Sequence, residues 1–184
     1  MIYFIIIALI LLIILIVYLI LLHNKLVKLE LNIKKEYSNL DISLVKRSDL
    51  ITKLVETVKA YMEHEKELLT KIVELRYKAV DLKDEKEFFK AENEISKLLK
   101  EVFIIAENYP DLKASDNFIN LQNELSRVEE DLSNSRKLYN DVVLKYNNVY
   151  MMFPTKFFAR LIGYKKHEFY EVEEQEKEMP EINL

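Results

Sequence analysis

Glu65 is the side chain most open to chemistry in this sequence. It follows His64 in "AYMEHEKEL", at a point where the helical spacing of Val58, Tyr61, Leu68 and Ile72 calls for an apolar group. A carboxylate on a buried seam must be paired or neutralised, because stranding it costs several kcal/mol. In an up-down-up-down bundle the second and fourth helices run parallel, and Glu65 falls within about a turn of the layer holding Ser135, next to Arg136. The spacing therefore predicts a polar layer of His64, Glu65, Ser135 and Arg136. Such a layer either sets helix register or holds a proton or ligand, and both readings stand at this point.

A second constellation is "YNDVVLKYNN", in which Tyr139-Asn140 recurs seven residues later as Tyr146-Asn147. Seven residues return a helix to nearly the same face, so both tyrosines fill successive layers of one seam. Each phenol needs a hydrogen-bond partner, and the flanking amides are suited to fixing register. A binding role for the repeat is the competing reading.

Metal and nucleophile chemistry find little support. The histidines are His23, His64 and His167, and Tyr61 and Tyr164 stand where a Glu-x-x-His pair would need an acid three residues before the last two. "HEKEL" has Leu68 where a zinc-protease helix carries its second histidine. With no cysteine, no glycine-rich phosphate loop and no serine elbow, the expectation is a protein without catalytic activity, cofactor or metal. The net charge of −4 argues against nucleic-acid binding, which needs a basic face to displace counterions.

The elements that carry these residues follow from composition. One glycine, Gly163, and three prolines in 184 residues leave helices with few, short connections as the economical solution. The first 22 residues, "MIYFIIIALILLIILIVYLILL", hold no charge and span about 33 Å as a helix, the thickness of a bilayer core. A retained anchor over 1–22 is expected rather than a signal peptide, since a basic leading region and a small-residue cleavage site are missing. Tyr3 and Tyr18 sit where aromatic rings favour the interface. Lysines after the span (Lys25, Lys28, Lys34, Lys35) place the rest in the cytoplasm by the positive-inside rule.

Beyond the anchor, apolar residues at alternating spacings of three and four predict helices over 23–46, 49–82, 85–109 and 116–153, with a short one over 155–163. "KRSDL" reads as the first turn with Ser48 or Asp49 as N-cap. Asp84 with Glu87 reads as a second helix start, and Pro110 ends the third helix. The expected fold is all-α: an N-terminal transmembrane helix, then an up-down-up-down antiparallel four-helix bundle over 23–165. A long dimeric coiled coil is the alternative. In that topology the fourth helix returns to the bilayer, where Lys156, Phe157, Phe158, Arg160, Leu161, Lys165 and Lys166 form a greasy, basic foot. These residues either enter the membrane interface or cap the core. Residues 166–184 are acidic and low in apolar groups, which predicts a disordered tail.

"HNKLVKL" after the anchor, "LVETVKAYMEHE" at 54–65, "AENEIS" at 91–96, "AENYPDLKASDNFINLQNEL" at 106–125, "SRKLYNDVVLKYNN" at 135–148 and "FPTKFFARLIG" at 153–163 together resemble the LemA family of bacterial membrane-anchored helical proteins. The resemblance covers nearly all of residues 1–165. It implies an anchor followed by a helical bundle and supplies no active-site residues. Departures are Thr52 where the family often has Pro, Tyr37 for a Trp, Ala60 for a Gly, and Glu129-Glu130 for a Glu-Asn pair. The expected function is a single-pass, membrane-tethered interaction or scaffolding module at the inner membrane with an unidentified protein partner. A structural spacer or oligomeric coiled coil is the alternative.

Overall fold

The structure, a computed structural model, describes residues 1–171. Among the described residues the secondary structure is helical throughout, with no strand. The helices are α1 (Ile2–Val58), α2 (Lys66–Asp81), α3 (Glu85–Ala106), α4 (Pro110–Lys113), α5 (Asp116–Met151) and α6 (Thr155–Ile162). The chain divides into two compact units, residues 1–38 with 138–169 and residues 39–137 with the segment from 170 onward. α1 and α5 contribute to both.

In the first unit, α1 starts with the uncharged run and continues through His23 without interruption. It is the one described helix long and apolar enough to cross a membrane. Its apolar side chains up to Val17 are exposed, Phe4 at 80% and Leu11 at 60%. Such a surface has no stable place in water, since contiguous apolar exposure on this scale marks a membrane or partner contact. From Leu22 onward the helix turns amphipathic. Leu22, Leu26 and Ile33 are buried, together with Tyr139, Val143, Tyr146 and Tyr150 of α5 and Ala159 of α6.

In the second unit, α1 buries Leu40, Leu44, Leu50, Ile51, Leu54 and Val58. The core is completed by Leu69 and Ile72 of α2, by Ile95, Leu99 and Val102 of α3, and by Leu125, Val128 and Leu132 of α5. α2 and α3 pack against each other, with Lys71 and Glu94 3.0 Å apart across the seam. The turn between them is closed by Asp84, whose carboxylate accepts the Glu87 backbone N–H at 2.9 Å. This is the side-chain cap that helix N-termini favour.

Two boundaries differ from those that the sequence predicts. "KRSDL" is not a turn, because α1 runs straight through it. Ser48 and Thr52 are instead one turn apart on a single face, where Arg76 of α2 donates to both hydroxyls, at 2.6 and 2.9 Å. Serine and aspartate lower helix propensity by only a few tenths of a kcal/mol each, so a bridge of this kind and the buried leucines around it outweigh them. The break comes later, at 59–65. Met62 is buried there, whereas Tyr61, the expected seam residue, is exposed. A continuous helix would carry Glu65 into the seam between Val58 and Ile72. Interrupting the helix lifts the carboxylate to the margin and avoids its desolvation. The third helix ends at Ala106 rather than 109, and Pro110 opens the one-turn α4 at the first helical position that proline tolerates.

Candidate functional site

The polar centre of the second unit is built on Arg47, a residue that the turn reading of "KRSDL" hides. Continuity of α1 places its side chain inward, 1% exposed. Nη2 is paired with the Glu92 carboxylate. Nη1 donates to Ser96 Oγ at 2.6 Å, to the Glu92 backbone oxygen at 3.3 Å and to Glu129 Oε1 at 3.1 Å. Ser96 in turn donates to Glu129 Oε2 at 2.9 Å. Burial draws the Arg47 guanidinium below the usual arginine range, and Glu129 opposes the shift. Arg136 acts on the same group from nearby. Two arginines and two glutamates thus form a neutral set. Arg136 lies over the ring of Tyr170 at 4.5 Å. Its buried Nε and Nη2 find no hydrogen-bond acceptor among the described residues, and the ring face supplies cation–π attraction instead.

The predicted layer of His64, Glu65, Ser135 and Arg136 is not assembled. Glu65 stands at the start of α2 and accepts from Tyr109 Oη at 2.6 Å, a bond that raises the Tyr109 phenol above its ordinary value. His64 is exposed in the break, and Ser135 is half-buried on α5. Arg136 serves Tyr170 rather than Glu65. No group of three or more His, Asp or Glu among the described residues is arranged to hold a metal ion.

In the first unit the Tyr-Asn repeat performs a different task. Tyr139 and Tyr146 are buried at 0% and 1%. Tyr146 Oη donates to the Lys165 carbonyl at 3.0 Å, and Tyr139 Oη to the Glu168 carbonyl at 3.3 Å. Asn147 holds His167 twice, its amide donating to the His167 carbonyl at 2.9 Å and its oxygen accepting the His167 N–H at 3.1 Å. Seven helical residues rise about 10.5 Å, and three extended residues cover about 10 Å. The heptad spacing of the tyrosines therefore matches carbonyls three apart on a strap running antiparallel to α5. Asn140 is half-buried beside them. The expected tail from residue 166 thus starts too early: 166–171 form the second half of this strap, and Tyr170 is 1% exposed. Residues 172–184 lie outside the described residues.

Burial, followed by the charge of Glu30, pushes the Tyr146 phenol from 10.0 up to about 12. A phenol kept neutral by the fold stabilises it below pH 10, and that contribution is lost as pH rises from 10 to 12. Spectrophotometric titration of the folded chain should show a late tyrosinate step, and Tyr146→Phe should shrink it. A late step of unchanged size would contradict the burial.

α6 is the foot. Gly163 ends it at φ +97, a conformation that L side chains rarely adopt. Thr155 and Ala159 face inward and are buried, while Phe157 and Leu161 stay exposed at 66% and 77%. Phe158 packs edge-on against Tyr18 of α1, ring centroids 6.3 Å apart. Lys156, Arg160, Lys165 and Lys166 are exposed.

Sequence reasoning missed Arg47 because two charges before Ser-Asp look like a solvated turn. Its partners were visible in another guise, as Glu92 and Ser96 both lie in "AENEIS". The range matched in comparisons with known proteins includes that string. A model described as the LemA family matches residues 36–184, a range that includes the whole buried charge cluster and the strap tyrosines. The chain is 24% identical over 138 residues to a protein called Protein LemA from Metamycoplasma hominis, a match covering 74% of this chain. It spans 63% of the length of that relative. By the extent of the family match, the chain belongs to the LemA family.

Proposed function

We propose that this protein is a single-pass membrane protein of the bacterial inner membrane. Its up-down-up-down helical bundle, on the cytoplasmic side, works as a non-catalytic interaction or scaffolding module. The observation that carries this reading is α1, which joins an exposed apolar stretch to packed helix without a break. A rigid connection of that kind suits a module that presents protein surface at a fixed place on the bilayer. The buried charge cluster supports the same reading. Arg47 is sealed from solvent and internally paired, which gives register and specificity rather than a reaction centre.

Two measurements test it. A reporter fused at Leu184 should be active only when it is of the kind that works in the cytoplasm; activity of an exported reporter would reverse the topology. Photo-crosslinkers at exposed Tyr77 and Ile104 in intact membranes should capture one reproducible heterologous protein. Crosslinks to a second copy alone would favour the spacer or oligomeric coiled coil.

A further inference from the structure

The first unit exposes a second apolar surface, on α6. α6 turns about 100° per residue, which sorts its side chains into four stripes. Thr155 and Ala159 face the core, Lys156 and Arg160 the next quarter, Phe157 and Leu161 the next, and Phe158 with Ile162 the last. The exposed apolar stripe is therefore contiguous with the one that touches Tyr18 of α1. Tyr18 lies four residues before the end of the uncharged run, about 6 Å inside it along the helix. That depth matches the roughly 5–10 Å to which an amphipathic helix settles in the interface. A helix packed on Tyr18 with Phe157 and Leu161 pointing outward, at 66% and 77% exposure, and with Phe153 exposed just before it at 92%, stands where acyl chains would cover it.

A cavity of about 460 Å³ adjoins the end of α6, lined by His23, Glu30, Tyr164, Lys165 and His167 among others. Tyr164 Oη and His23 Nδ1 are 3.2 Å apart on its wall. His23 immediately follows the uncharged run, so the cavity lies at the end of that run. Its wall carries Lys165 and Glu30, and the surrounding residues 153–167 add Lys156, Arg160 and Lys166 and no acid. Phosphate is the group that such a set of lysine, histidine and phenol donors recognises.

We propose that α6 lies in the bilayer interface beside the anchor and that the cavity between His23, Tyr164, Lys165 and His167 receives the phosphate headgroup of an anionic phospholipid. The proposal rests on the anchor reading above. It makes the foot a lipid-specific attachment that fixes the tilt and rotation of the first unit on the membrane, which a single spanning helix leaves free.

The chain has no tryptophan, so one introduced residue reports its own depth. Full-length protein carrying Phe157→Trp, reconstituted in vesicles with brominated acyl chains, should show blue-shifted emission and strong quenching. Tyr77→Trp on α2 should show neither, and Leu11→Trp should be quenched as a mid-span reference. Quenching of Leu11→Trp without quenching of Phe157→Trp overturns this proposal and leaves the anchor standing. Loss of both overturns the anchor reading itself. In vesicles containing phosphatidylglycerol, energy transfer from the Phe157→Trp probe should favour a labelled phosphatidylglycerol over the matching phosphatidylcholine. Adding Lys165→Gln should cut that preference about fivefold while leaving bromine quenching intact. Equal transfer to both lipids, a preference untouched by Lys165→Gln, or its abolition by inorganic phosphate would each overturn the headgroup assignment.

Discussion

Replacing Arg47 with Met is expected to destabilise the second unit by about 3–5 kcal/mol, the usual cost of breaking a buried ion pair from one side. The reason lies less in the lost attraction than in what remains. Glu92 is 10% exposed at its side chain and Glu129 29%, and both would be left without the guanidinium that their positions require. The two carboxylates should not be equivalent. Glu92→Gln is expected to cost more than Glu129→Gln, because the more exposed partner recovers hydration when its bond is lost. Removing Arg47 together with both of its carboxylate partners, as Arg47→Met with Glu92→Leu and Glu129→Leu, should restore most of the loss, since well-packed apolar replacements of buried ion pairs are often neutral or stabilising. Denaturant unfolding of the full-length protein in detergent measures all four variants. A single Arg47→Met loss below about 1 kcal/mol, in the range of an exposed pair, would mean that the cluster is not closed in the folded state.

Tyr170→Ala should come next in size, at about 3–5 kcal/mol for a fully buried aromatic ring. The ring is held between Phe89, centroids 4.3 Å apart, and Arg136. Its removal leaves an empty site beside Phe89 and takes the cation–π partner from a guanidinium whose buried Nε and Nη2 find no acceptor among the described residues. Tyr170→Phe, which keeps the ring, should lose far less. The consequence reaches beyond unfolding. The strap residues 164–169 have their backbone held by Tyr139, Tyr146 and Asn147, and Tyr170 follows directly in the chain. Limited proteolysis should therefore show faster tryptic cleavage after Lys165 and Lys166 in Tyr170→Ala. Cleavage at the native rate would show that the three hydrogen-bonding side chains of α5 suffice to hold the strap.

The part of the fold written in local patterns was legible. An uncharged run of 22 residues reads as a membrane-length helix because transfer energetics add along the chain with little regard to tertiary context. The cap at Asp84 and the glycine end of α6 are equally local, each decided within four residues. The heptad pairing of Tyr139 with Tyr146 put both rings on one buried seam, where the structure has them. What those rings hold was not legible. The strap that they clamp comes from a segment whose acidic composition suggested a solvated tail, and composition averages over the one aromatic, Tyr170, that docks it.

The errors share one physical cause. "KRSDL" carries weak helix formers but no Pro or Gly, so its local cost is small, and distant groups decided the outcome. Arg76 bridges Ser48 and Thr52, and Glu92, Ser96 and Glu129 receive Arg47. The same trade moved the break to 59–65, where interrupting a good helix costs less than burying Glu65. The sequence by itself determined the helical class of the described residues, a membrane-length apolar N-terminus and most of the buried seam positions, because periodicity and transfer energy are sums over neighbouring residues. Only the tertiary structure decided where α1 stops, which charges are paired inside, and that the chain after Gly163 folds back onto α5. Those outcomes rest on partners 19 to 82 residues away in sequence, and a buried charge is tolerated only where such a partner arrives.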